Sequence, residues 1–126
     1  MTIGRRDVQT LQHLYNYCAQ IRLTKERMHI TLQSYMEDFI QQNAISMPLL
    51  QIGELVKTAL SEEFKQKHSE LPWHQMAGMR NRFAHDYDAM DPQIVWNTVE
   101  RNIPELESFC RQILEAEHYF VAYPPK

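Results

Sequence analysis

The sequence is poor in the residues that break helices, with 3 glycines and 6 prolines among 126 residues. Their scarcity and spacing argue against a turn-rich sheet fold and for long helices. Cysteine is nearly absent. Cys18 and Cys110 stand alone, without a Cys-x-x-Cys, and both fall on core-facing positions of helical patterns, so they read as buried thiols rather than a disulfide or a metal site. Reduced thiols of that kind suit the cytosol. No run of about 18 apolar residues occurs, and the opening MTIGRRDVQTLQHLY is charged and lacks the apolar stretch of a secretion signal. No membrane span is expected, and the cytoplasm is the expected location. Neither sign of charge dominates, since 13 Lys and Arg face 16 Asp and Glu for a net charge of -3. Long-range attraction of the whole molecule to a polyanion is thereby excluded, and any RNA contact needs a local patch. The 6 histidines show no His-Glu-x-x-His or comparable ligand spacing, so neither a metal nor another cofactor is expected.

What is present is helical periodicity over a length suited to one domain with one core. Residues 1–122 are expected to form that domain, with 123–126 as a C-terminal tail that cannot extend a helix. Val8, Leu11, Leu14, Cys18 and Ile21 step by three and four, which predicts a helix over about residues 6–22. A second helix carries Leu32, Tyr35, Met36 and Phe39. The third carries Leu49, Ile52, Val56 and Ala59, with Ser46 as N-cap and Pro48 in the first turn. SEEFKQKHSE reads as a short charged surface connection that offers only Phe64 to the core. A fourth helix spans about residues 72–85. The last starts at Asp91 and Pro92, a capping residue followed by proline in the first helical position, and buries Val95, Val99, Ile103, Leu106, Phe109 or Cys110, and Ile113. Pro104 lies inside that pattern, where a kink is expected.

Residues 72–85 do not fit an ordinary amphipathic helix. At about 100° per residue, Trp73, Met76, Ala77 and Ala84 share an apolar face with Arg80 in its middle. A guanidinium there would carry a desolvation cost of several kcal/mol unless something anionic meets it. Glu54 of the third helix could form an internal ion pair; the other reading is an anion-binding cleft. Beside this face, His74, Gly78, Asn81 and His85 form a polar stripe. Gly78 leaves a notch at which another backbone or a phosphate can approach, or at which a neighbouring helix of the same chain packs. Arg80 and His85 are roughly 140° apart on a straight helix. They meet in one site only if the helix ends or bends near His85, or if two copies of the chain combine across a two-fold axis. Tyr87 would share the side of His85 if the chain becomes extended there.

The run Arg80-Asn81-Arg82-Phe83-Ala84-His85-Asp86-Tyr87 resembles the HEPN signature in its HepT-like form. The flanks, from LSEEFKQKHSELPW to DPQIVWNTVERNIPEL, and the helix IGELVKTAL look like the same family, and together these cover about half of the chain. The segment from Thr24 to Gln42 has no matching feature, and Met47 and Pro48 stand where many relatives have a basic residue. The resemblance implies an all-α, up-and-down bundle of four to five helices that forms a homodimer, with the Arg-His motifs of both chains facing a shared cleft. It also implies a metal-independent endoribonuclease, the toxin of a type VII toxin-antitoxin system, whose antitoxin is a minimal nucleotidyltransferase that transfers AMP to the position of Tyr87.

RNA cleavage without a metal needs a base for the 2′-hydroxyl proton and a cation for the charge that develops on phosphorus. His85 and Arg80 are the candidates for these catalytic roles. Asn81 and Arg82 are supporting RNA-binding candidates, and Gly78 and His74 are interface candidates. AMP on Tyr87 would place a bulky anion beside His85 and compete for Arg80. The alternative from another functional class is a non-catalytic HEPN module that binds a nucleotide or a nucleotidyltransferase partner, which suits the acidic balance of the chain.

Overall fold

The structure is a computed structural model that describes residues 3–125, so Met1, Thr2 and Lys126, at the ends of the expected domain and tail, lie outside the described residues. Four long helices, Arg5–Arg27 (α1), Phe39–Thr58 (α3), Trp73–His85 (α5) and Pro92–Ala116 (α6), form the bundle. Two short helices, Leu32–Glu37 (α2) and Glu62–Lys67 (α4), lie in the connections, and a 3-10 turn at Tyr87–Ala89 joins α5 to α6. No strand occurs among the described residues. Close packing runs from α5 to α3, from α3 to α1 and from α1 to α6, with α2 bridging α3 and α6. Helices α5 and α6 are not such a close pair, and a groove opens between them.

The apolar stripe of α1 is buried as the periodicity predicts, and the helix runs five residues beyond the expected end at about residue 22. The expected second helix is reduced to α2, where Tyr35 is buried while Leu32 and Met36 are exposed. Phe39 belongs to α3 and is 69% exposed. The start of α3 also differs from expectation. Asp38 caps it by accepting from the Ile40 amide at 2.9 Å, and the Ser46 hydroxyl bonds back to the Gln42 carbonyl at 2.7 Å in mid-helix. Ser46 resembles a cap in sequence because serine suits both sites. Burial decides between them: Ile45, Leu49, Ile52 and Val56 form one continuous buried row that carries the helix across Pro48.

The remaining elements follow local chemistry closely. Ser61 caps α4 through the Phe64 amide, and Asp7 of α1 accepts from both the Ser61 amide and its hydroxyl at 2.9 and 2.6 Å. Phe64 is the buried residue of that segment and sits in an aromatic cluster with His68, Trp73 and Phe109. Asp91 caps α6, which continues unbroken through Pro104. Its stripe ends on Cys110 and Leu114, both fully buried, while Phe109 and Ile113 are only partly covered. Cys18 and Cys110 are free, fully buried thiols. After α6 the chain folds back onto α1. Gln12 exchanges two hydrogen bonds with the Val121 backbone, and Gln20 donates to the Tyr123 hydroxyl at 3.1 Å. No helix among the described residues is long and apolar enough to cross a membrane.

Candidate functional site

Helix α5 presents the residues of interest, and the way it lies on α3 sets their positions. At the crossing stands Gly53. A Cβ there would lie 2.9 Å from the Met76 carbonyl oxygen and 3.0 Å from both the Cβ and the backbone nitrogen of Arg80, so only glycine allows this approach. Trp73, Met76 and Phe83 are the buried residues of α5. Ala84, expected on the core face, is exposed, and Phe83 fills the core beside α3 instead.

Arg80 lies on the apolar side of α5, as the wheel predicts, but its side chain is 34% exposed rather than engulfed. The large desolvation cost expected of a buried guanidinium therefore does not arise. Close backbone contact at Gly53 covers the arginine stem, and the head reaches the rim. There Nε donates to Glu54 Oε2 at 2.7 Å and Nη1 donates to Asn81 Oδ1 at 3.3 Å. Lys57 Nζ donates to the same Asn81 oxygen at 3.2 Å. Two cations thus meet at the Asn81 amide oxygen while one carboxylate pairs with Arg80, a local positive excess on a chain of net charge -3. The Nη2 donors of Arg80 have no acceptor among the described residues.

His85 is the last residue of α5 and is exposed. It remains in helical register, so the roughly 140° between it and Arg80 persists within one chain. Tyr87 departs from the expected extended exit. Asp86 has φ -130° and ψ 28°, and the 3-10 turn closes through the Ala89 amide to the Asp86 carbonyl at 2.9 Å and the Met90 amide to the Tyr87 carbonyl at 3.2 Å. Tyr87 turns toward α3 instead. Its ring centroid lies 6.0 Å from that of Phe83, and its hydroxyl donates to Asn43 Oδ1.

The groove between α5 and α6, about 440 Å³, is lined by His74, Gly78, Met79 and Arg82 from one side and Ile94 and Asn102 from the other. A Cβ on Gly78 would meet nothing within 4 Å, so no helix of its own chain packs against it. Gly53, Lys57 and Asn43 are the site residues that sequence reasoning missed, whereas Glu54 meets Arg80 in the ion pair that the sequence offered. The IGELVKTAL segment holds the first two, and a glycine at mid-helix was the available signal; nothing local marks Asn43. Among the described residues no three His, Cys, Asp or Glu side chains converge so as to hold a metal ion.

Comparison with known proteins places this geometry in a family. The family model described as "Ribonuclease HepT-like" matches residues 16–113, from α1 to near the end of α6. A protein of Caldanaerobacter subterraneus subsp. tengcongensis named "Putative RNase" is 36% identical over 107 residues, covering 85% of this chain and 93% of the relative. The "Probable ribonuclease HepT" of Thermococcus cleftensis is 33% identical over 96 residues, covering 75% and 86%. A Methanocaldococcus jannaschii protein, also named "Putative RNase", is 33% identical over 88 residues, covering 67% and 72%. No solved structure matches the chain. The chain belongs to the HepT-like ribonuclease family, whose matched segment includes all of residues 80–87.

Proposed function

We propose that the protein is a metal-independent endoribonuclease that works as a homodimer in the cytoplasm, the toxin of a type VII toxin-antitoxin pair. His85 takes the 2′-hydroxyl proton, the freed oxygen attacks the adjacent phosphorus to form a 2′,3′-cyclic phosphate, and the bond to the 5′-oxygen of the next nucleotide breaks as that oxygen takes a proton from solvent. Arg80 holds the charge that builds on phosphorus, and Asn81 and Arg82 grip the flanking backbone. The observation that carries this reading is the placement of an exposed imidazole and a partly free guanidinium on α5, the helix that holds the family motif. Because the two lie on different sides of α5, the shared cleft combines motifs from two copies, with the open notch at Gly78 and the neighbouring His74 at the contact. Transfer of AMP by a minimal nucleotidyltransferase to the Tyr87 hydroxyl would replace its hydrogen bond to Asn43 with a bulky anion at the turn that follows His85 and silence the enzyme.

One observation favours a second reading, a non-catalytic module that binds a nucleotide or a nucleotidyltransferase: Arg80 is already paired with Glu54. Incubation of the purified protein with total RNA and a chelator separates the two. Cleavage should persist in chelator and disappear in His85→Ala, whose sedimentation should match the unmodified protein. Intact RNA in both samples would favour the second reading.

A further inference from the structure

Two concavities flank the ring of Tyr87. The smaller, about 230 Å³, has Met47 and Leu50 in its wall, and the larger, about 470 Å³, has Phe39, Gln42 and Asp88. Asn43, Ser46, Phe83 and Tyr87 line both. Tyr87 is therefore part of the wall they share, fastened at its hydroxyl by Asn43. Phe39, 69% exposed, is an apolar side chain that the bundle does not use.

The chemistry of the lining restricts the occupant. No lysine, arginine or histidine borders either concavity, and the one charged group is the Asp88 carboxylate, so a phosphate is disfavoured. A flat, uncharged ring with a hydrogen-bonding edge fits. Asn43 uses Oδ1 to accept from Tyr87, and its Nδ2 donors have no acceptor among the described residues. Gln42 spends Nε2 on the Tyr35 and Met36 carbonyls at 2.8 and 3.4 Å, which leaves Oε1 as an acceptor. Aromatic rings with one amide donor and two acceptors beside them suit the face and the edge of a nucleobase.

We propose that this double pocket is the nucleobase subsite of the nuclease, where an unstacked base next to the scissile bond lies against Phe39 and Tyr87. The proposal rests on the ribonuclease reading above. Tyr87 follows His85 by two residues, at most about 7 Å along the backbone, and faces α3, so the base it holds belongs to a nucleotide that flanks the cut. A base held in this way must be free of a duplex, and the enzyme selects single-stranded RNA.

Steady-state cleavage of one oligoribonucleotide, as a single strand and as a duplex, tests the proposal. The single strand should be cut far faster. Phe39→Ala should raise KM roughly tenfold, as the loss of one stacking surface would, with a smaller change in kcat. Ile40→Ala, an exposed neighbour that does not line the pocket, should leave KM unchanged. Asn43→Asp, which removes the amide donor, should change which base flanks the cut. Equal cleavage of duplex and single strand, or an unaltered KM in Phe39→Ala, overturns the subsite while leaving the nuclease in place. If the unmodified protein cuts no RNA, the ribonuclease reading fails on its own. The subsite is then decided by binding of a fluorescent 2′-O-methyl oligonucleotide to His85→Ala, which Phe39→Ala should weaken roughly tenfold; unchanged binding overturns it.

Discussion

Arg80 is held at two points, by Glu54 through Nε and by Asn81 through Nη1, with a third of its side chain in solvent. A pair this exposed contributes at most about 1 kcal/mol to stability. Glu54→Gln should therefore cost no more than a few degrees in Tm. RNA affinity by fluorescence anisotropy should rise and become more salt-dependent as the guanidinium is released, and an unchanged affinity would remove Arg80 from the RNA contact. Tyr35 gives a second prediction. Burial, with a smaller contribution from Tyr87, pushes its phenol up to about 12, and a hydrogen bond with Ser46 acts in the opposite direction. The folded state then holds a proton that the unfolded chain releases near pH 10, so this stability is complete below pH 10 and is lost as pH rises toward 12. Urea unfolding at pH 8 and pH 11 should show a larger loss for the unmodified protein than for Tyr35→Phe. Equal losses would contradict the burial of the phenol. Arg80 as the odd residue of an apolar face, with Glu54 as a partner, was legible from spacing. Its exposure was not, because that depends on how closely Gly53 lets α3 approach α5.

At the scale of elements, the crossing of α3 and α5 is the arrangement that positions the site. In Gly53→Ala the new methyl group meets the Met76 carbonyl and the Arg80 backbone nitrogen, neither of which can rotate away. Strain of about 1–3 kcal/mol from overpacking should exceed the roughly 1 kcal/mol that alanine gains over glycine in a helix. Urea unfolding should show a net loss of stability; equal or greater stability would mean that the helices part freely. Helix starts were legible where the signal was chemically local, as at Asp91 with Pro92. They were not legible where two positions offer similar local chemistry. Ser46 and Asp38 both suit a cap, and the choice depends on whether Ile45 finds a core to enter. The exit from α5 failed in the same way. Alternation would carry Tyr87 to the side of His85, but Phe83 and Asn43, a residue 44 positions away, draw it toward α3.

At the scale of the whole molecule, the open groove between α5 and α6 and the bare notch at Gly78 set the assembly prediction. Gly78→Ala meets no atom of its own chain, so the isolated fold should gain up to about 1 kcal/mol. If the notch receives a second copy, the same methyl group should raise the dimer dissociation constant measured by sedimentation equilibrium. A more stable protein with unaltered assembly would place the contact elsewhere. The sequence by itself determined the helical class, the single core and the residues of the motif. Periodicity, caps and the order of side chains along one helix are properties of short stretches, and burial of one face per helix follows from them. Only the tertiary structure decided which of those residues meet. It paired Arg80 with Glu54, turned Tyr87 to Asn43 and left Gly78 open. Each outcome depends on the distance between helices remote in sequence, which the volume of side chains such as Gly53 at their crossings sets and no local pattern encodes.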